Sequence, residues 1–393
     1  MTVLRARTYL DYNASAPLLP AAREALVAAL ERPGNPSSVH GEGRAVRHLL
    51  ERARANVATL VDAVAEGVVF TSGATEAAVT CLTPHWQRGD DIIPVARLAV
   101  LDTDHPCLRE GGRFDPNSVT RLPVDSHGVV VLQALRTWLA AGPPGLLAFS
   151  LANSETGVIQ PALEMIAAAR EAETLVVVDA VQAVGRIPVS ARDLAADALI
   201  LSAHKIGGPT GTGAFVLASP ERRPFPLLTG GAQETRQRAG TEAVASIAAF
   251  GAAAAAAGEG FNDAPRLEAC RLRLEAAVCA AAPGMILIGG GAPRLPQTIA
   301  FQHSEMRAET LQIALDLEGF AVSAGSACSS GKVGSSHVLE AMAKAGAPLR
   351  PELGSLRVSF GAATTDEMLQ RFSDVLCRQL ARMTGQTEAT HAA

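Results

Sequence analysis

No apolar run in this chain approaches the length of a membrane span, and the N-terminus has no signal-peptide hydrophobic stretch. A dominant charge is also lacking: the net charge is -5, and only 19% of the 393 residues are charged. There is no sequence-wide basic field for nucleic acid, so a polyanionic partner has little electrostatic support. The six cysteines (Cys81, Cys107, Cys270, Cys279, Cys328, Cys377) show no C-x-x-C spacing, which indicates neither a zinc site nor a disulfide framework. Most of them are expected to be small core residues. Together these absences predict a soluble cytoplasmic protein with no metal. The 48% of residues that are apolar suffice for a large core, and the length suits two lobes.

The organising stretch runs from Ala198 to Gly213. Ala198 to Leu201 reads as a short buried strand that breaks into Ser202, His204 and Lys205, then into a Gly/Pro-rich turn. A lysine at a strand end is most commonly a surface cation. The alternative is an amine that forms a Schiff base with an aldehyde cofactor. Asp179, closing the strand Leu175–Val178 about 25 residues earlier, favours that alternative. Pyridoxal phosphate needs a carboxylate opposite its ring nitrogen, and the two residues suit one strand–crossover–strand unit.

Strand-like runs recur at Asp91–Val95, Leu98–Leu101, Gly145–Ala152, Leu175–Val178, Ala198–Leu201 and Gly213–Leu217, with helical stretches such as Val129–Ala140 and Ala162–Ala172 between several of them. The alternation predicts an α/β fold with a doubly wound, mostly parallel sheet. Pro20–Leu30 and Ala45–Val61 carry a helical period ahead of it. Gly67 to Glu76 reads as a strand, a glycine turn and a helix whose first turn forms an anion cup; alone, that motif is weak. Thr71 to Thr75, His105, Asn153, Asp179 and Ser202 to Lys205 all fall at carboxyl ends of strands, where open parallel sheets bind ligands.

An alanine-rich helix running through Ala257 is the expected connector to a smaller α+β lobe. That lobe should contain helices at Arg266–Ala281, Ala308–Leu317 and Thr365–Arg382, and strands at Met285–Ile288, Thr298–Gln302, Phe320–Ser323 and Ser355–Phe360. The expected division is residues 16–257 for the large domain, 1–15 with 258–383 for the small one, and a disordered tail at 384–393. Within the small lobe, Ser323 to Ser336 is Gly/Ser-rich and places Cys328 on a mobile, solvated backbone. Such a thiol can ionise and act as a nucleophile on a swinging tether. Arg357, in an apolar strand, is either a structural ion-pair partner or a clamp for a substrate carboxylate.

Several segments together resemble the cysteine desulfurases of the NifS/IscS type, within the fold-type-I pyridoxal-phosphate enzymes. They are Tyr9-Leu-Asp-Tyr-Asn-Ala, Gly34-Asn-Pro-Ser-Ser-x-His40, Phe70-Thr-Ser-Gly-Ala-Thr-Glu76, Ser154-Glu-Thr-Gly-Val-Ile-Gln-Pro161 and Asp179-Ala-Val-Gln-Ala-x-Gly185. The series continues with Ser202-Ala-His-Lys-Ile-x-Gly-Pro209, Gly230-Gly-x-Gln-Glu234, Arg238-x-Gly-Thr-Glu242 and Gly325-Ser-Ala-Cys328. The resemblance covers nearly the whole length.

It implies that Lys205 carries the Schiff base, Asp179 pairs with the ring nitrogen, Gln182 hydrogen-bonds the ring hydroxyl, and His105 stacks on the ring. Ala74, Thr75, Ser202 and His204 would hold the phosphate, with Thr241 reaching it from the partner of a homodimer. Asn153 and Arg357 would bind the carboxylate of L-cysteine, and Cys328 would take the sulfur as a persulfide for a scaffold or carrier protein. The implied pathways are iron–sulfur cluster assembly, thio-cofactors or tRNA thiolation. Three departures stand out: Ala77-Ala78-Val79 where the family has an Asn, Ser154 in place of the second Asn of Asn-Asn-Glu-Thr-Gly, and Ala243 where Asn is common. A selenocysteine lyase, another β-eliminating or aminotransferase relative, and a silent scaffold remain as alternatives.

Overall fold

The computed structural model describes residues 7–259, 263–325 and 335–383. Its main sheet has seven strands in the order Val68–Thr71, Gly213–Leu217, Ala198–Ser202, Leu175–Asp179, Leu146–Ser150, Leu98–Leu101 and Val119–Leu122. Pairing is parallel from Ala198–Ser202 through Val119–Leu122, whereas Gly213–Leu217 is antiparallel to both of its neighbours. The reason is chain length: the turn between Ser202 and Gly213 is too short for a crossover, so the strand must return alongside. The fold is thus α/β with a doubly wound, mostly parallel sheet, joined to a smaller α+β domain.

The central strands are apolar throughout because both faces of the sheet are covered. Alternation then sends neighbouring residues into different cores. Val176 and Val178 pack with Leu147, Phe149, Leu199 and Leu201 on one face, while Leu175 and Val177 pack with Leu146, Ala148, Ala198 and Ile200 on the other. The alanine-rich helix Val244–Glu259 belongs to the first of these layers through Ile247, Phe250 and Ala254. It lies so close to the helix Gly41–Leu60 that a Cβ on Gly251 would meet the Ala53 Cα at 2.4 Å. Its small residues set that spacing.

The smaller domain has an antiparallel sheet ordered Met285–Leu287, Thr298–His303, Leu356–Ser359 and Ser323–Ala324. The helices Ala264–Ala281, Ala308–Leu317 and Asp366–Met383 pack on it around Phe301, Phe320 and Phe372, with Leu10 joining the same core from the start of the chain.

Four local expectations change. Asp91–Pro94 is a strand, but it pairs with His85–Arg88 in a separate three-stranded antiparallel sheet. The run Phe320–Ser323 divides into Phe320–Ala321, paired with Thr8–Tyr9, and Ser323–Ala324, paired with the Arg357 strand. A helix, His337–Lys344, stands where polar residues hid its amphipathic period; Ser336 caps it by accepting from Leu339 N–H at 3.2 Å. Finally, of the five described cysteines only Cys81 and Cys270 are buried, since Cys279 falls on the solvent side of its helix and Cys107 and Cys377 are half-buried. Cys328 and the 384–393 tail lie outside the described residues. Among the described residues no helix is long and apolar enough to cross a membrane.

Candidate active site

A cavity of about 430 Å³ opens at the carboxyl edge of the main sheet. It is lined by Ala74, Thr75, His105, Asn153, Asp179, Gln182, Ser202, His204, Lys205 and Arg357, and also by Asn13, which had been assigned no role. Most of these residues meet there because they end strands of the main sheet or lie in the segments just after them, whereas Arg357 comes from a strand of the smaller domain's sheet and Asn13 from the segment after Thr8–Tyr9. Thr241 is exposed and outside this lining, and Cys328 is not among the described residues.

Lys205 ends a short 3-10 turn, Ala203–Lys205, directly after its strand. Its Nζ donates to the carbonyl oxygens of Asn13 at 2.7 Å and Ala14 at 2.9 Å. Asp179, the last residue of the neighbouring strand, is buried and accepts from Val181 N–H at 2.9 Å. Burial pushes its carboxyl up to about 6, against the lowering effect of that N–H and of the Lys205 charge. Asp104 lies close by and is likewise buried, accepting from Leu101 N–H at 2.7 Å and Ser150 N–H at 2.8 Å. Desolvation holds it at about 7, and the Asp179 charge adds to the rise.

Both histidines are neutral at ordinary pH. Burial, then the charges of Lys205 and His337, bring His105 down to about 4. For His204 burial again leads, followed by Lys205 and Arg186, with the ring at about 4. His105 also caps the turn that follows it, its Nδ1 accepting from Cys107 N–H at 3.2 Å. Its imidazole is therefore held in place and free of charge.

At the other end of the cavity the helix Ala74–Cys81 begins, capped at Gly73. Glu76 accepts from Ser72 N–H at 2.8 Å and pairs with Arg238 at 3.0 Å, which stiffens the turn. Strand Gly213–Leu217 presses against it so closely that a Cβ on Gly213 would meet the Gly73 carbonyl carbon at 2.6 Å. Thr212, in the cavity wall, has a buried hydroxyl with no hydrogen-bond partner among the described residues. First-turn N–H groups, the hydroxyls of Thr75 and Ser202, and the unpaired one of Thr212 suit an oxyanion group.

The two residues expected to bind a substrate carboxylate, Asn153 and Arg357, already make several hydrogen bonds within the protein. Asn153 Oδ1 accepts from the N–H groups of Glu155 at 2.9 Å and Thr156 at 3.0 Å, while Nδ2 donates to Thr103 O at 2.8 Å. Arg357 makes the structural ion pair of its first reading, with Asp11 at 2.7 Å, and donates to Ser323 Oγ and Ser154 O, each at 3.0 Å; it also lines the cavity, and among the described residues its buried Nε–H has no partner. Asp11 and Asn13 were legible only as part of a matching segment, because their partners lie hundreds of residues away.

The class-V aminotransferase family model matches residues 8–372. A cysteine desulfurase of Cereibacter sphaeroides is 39% identical, covering 94% of this chain and 95% of its own. The cysteine desulfurase IscS of Dictyoglomus turgidum is 37% identical over 97% and 96% of the two chains. Among solved structures, a NifS-like protein from Rickettsia africae superposes with a TM-score of 0.84 at 27% identity, covering 96% of this chain and 99% of that one. The chain belongs to the class-V aminotransferase family, on its NifS/IscS-like cysteine desulfurase branch. That family is strongly associated with pyridoxal phosphate, and the residues around this cavity fit the group: an amine, a buried carboxylate, a neutral imidazole and an oxyanion cup share one space.

Proposed function

We propose that this protein is a pyridoxal-phosphate-dependent cysteine desulfurase that converts L-cysteine to L-alanine and holds the sulfur on Cys328. The observation that carries the reading is the placement of Lys205, Asp179 and His105 around one cavity in a chain of this family. When bound, the cofactor supplies an electron sink for the carbanion formed at the substrate Cα.

The chain's own residues do the rest. Lys205 Nζ anchors the cofactor and moves the α-proton. Asp179 keeps the ring nitrogen protonated, and Gln182 holds the ring hydroxyl. His105 would stack on the cofactor ring, and its neutral form can accept a proton. Ala74, Thr75, Ser202 and His204 would hold the phosphate, Thr212 adds a further hydroxyl in the cavity wall, and Thr241 would be supplied by a partner subunit. Arg357 offers Nε–H to the substrate carboxylate beside Asn153.

The balance closes without an external oxidant. The substrate C–S bond breaks and an S–S bond forms on Cys328, so carbon is reduced as the sulfur pair is oxidised. The products are alanine and a persulfide whose sulfur passes to a scaffold or carrier protein. Incubating purified protein with L-cysteine should yield alanine together with a persulfide on Cys328, and Cys328→Ala should lose both. Full sulfide release by Cys328→Ala would instead favour a lyase. No visible chromophore in the protein, with Lys205→Ala unchanged in function, would favour a silent scaffold.

A further inference from the structure

Gln182 can present either of two faces to the cavity, because a side-chain amide is an acceptor at one end and a donor at the other. Its orientation here is decided from behind. Arg186 Nη1 donates to the Gln182 main-chain oxygen at 3.0 Å and also to Gln182 Oε1, while Nη2 donates to Tyr12 O at 3.2 Å. A guanidinium has no acceptor, so only Oε1 can face it, whatever the amide would choose alone. Nε2 is then turned away and donates to Asn13 O at 3.0 Å, the same oxygen that receives Lys205 Nζ. Among the described residues the second Nε2 hydrogen has no acceptor, and Gln182 lines the cavity.

An ion pair does not explain Arg186: it is half-buried, and among the described residues its guanidinium donates to Gln182 and Tyr12 oxygens and pairs with no carboxylate. The charged group it senses is Arg357, and its own charge in turn helps to lower the His204 ring. Burial and then Arg357 lower its guanidinium to about 9, which leaves it charged at neutral pH.

We propose that Arg186 is a positioning residue that locks the Gln182 amide, so that the cavity meets an N–H donor and not a carbonyl acceptor. The inference rests on the proposed function, in which the ring hydroxyl faces Gln182. A donor there stabilises the ionised ring oxygen and weakens its hold on the proton shared with the Schiff-base nitrogen. The lock therefore lowers the pH at which that nitrogen loses its proton.

The test is a pH titration of the visible absorbance of the holoenzyme without L-cysteine. Arg186→Met should raise the midpoint by about half to one pH unit, the size of one hydrogen bond, and Arg186→Lys, also donor-only, should restore it. Removing the charge alone would raise the midpoint too, so the effect is measured again beside Gln182→Leu. If the amide carries it, Arg186→Met adds nothing in that background. An equal shift with and without Gln182, or no shift in Arg186→Met, overturns the proposal. Should Arg186→Met not accumulate as folded protein, Arg186→Gln, which can offer an acceptor as well as a donor, must show a shift of the same sign. A wild-type protein with no chromophore at any pH overturns the cofactor reading itself, a result distinct from an unshifted midpoint.

Discussion

Replacing Asp179 by asparagine should stabilise the cofactor-free protein while abolishing its activity. The carboxyl rises from an ordinary 3.8 to about 6 because folding strips it of water. An acid whose folded pKa is raised holds its proton more tightly when folded, so ionising it opposes folding. The penalty begins as pH climbs past 3.8, is complete above about 6, and at about 1.4 kcal/mol per pH unit amounts to roughly 3 kcal/mol. Asparagine keeps an oxygen for Val181 N–H, and the Ser150 hydroxyl that donates to Asp179 can rotate to accept from the new amide. Removing the Asp179 charge also relieves Asp104, whose carboxyl it helps to raise. Urea unfolding at pH 4 and pH 7.5 reads the effect directly. The variant should match wild type at the lower pH and exceed it by about 3 kcal/mol at the higher one. Equal stability at pH 7.5, or the same gain at pH 4, would refute desolvation as the cause.

Other perturbations test the site and the packing around it. Glu234 and Arg54 form a buried ion pair at 2.8 Å, and Glu234 also accepts from Phe70 N–H. Glu234→Ala should therefore cost about 3–5 kcal/mol in urea unfolding, whereas Glu234→Leu with Arg54→Met should recover most of that loss. Thr212→Val should stabilise the cofactor-free protein by about 1 kcal/mol, because it removes a buried hydroxyl that has no partner among the described residues. It should also weaken binding of pyridoxal phosphate but not of pyridoxal. The His105 ring should titrate near pH 4 by NMR. Since the unfolded chain protonates first, near 6.5, stability is lost as pH falls from there towards 4, and His105→Gln should flatten that limb.

Six of the seven strands of the main sheet and their polar ends were legible in the sequence because both follow from local chemistry; the edge strand Val119–Leu122, half-exposed and carrying Thr120 and Arg121, was not. A continuous apolar run such as Leu175–Val178 has nowhere to go but a sheet covered on both faces, and the polar residue that ends it lies at the sheet's edge. The helix His337–Lys344 was not legible, since its apolar residues follow a Ser/Gly-rich run that reads as loop. Nor was the early start of the helix Gly41–Leu60, whose first turn contains two glycines and is capped by His40 Nδ1 at 3.2 Å. The register of Asp91–Pro94 escaped for a different reason: nothing local says which strand a strand will pair with.

By itself the sequence determined which residues could do the chemistry: an amine and a carboxylate closing adjacent strands, and an anion cup after a third. Tertiary structure alone decided how those groups are held. Lys205 rests on Asn13, 192 residues before it, and Arg357 is pinned by Asp11, 346 residues away. Burial then made Asp179 a reluctant anion and the two histidines neutral. Periodicity is a property of neighbours along the chain, but hydrogen-bond direction and desolvation are properties of whatever packs against a residue, and only the folded chain supplies that.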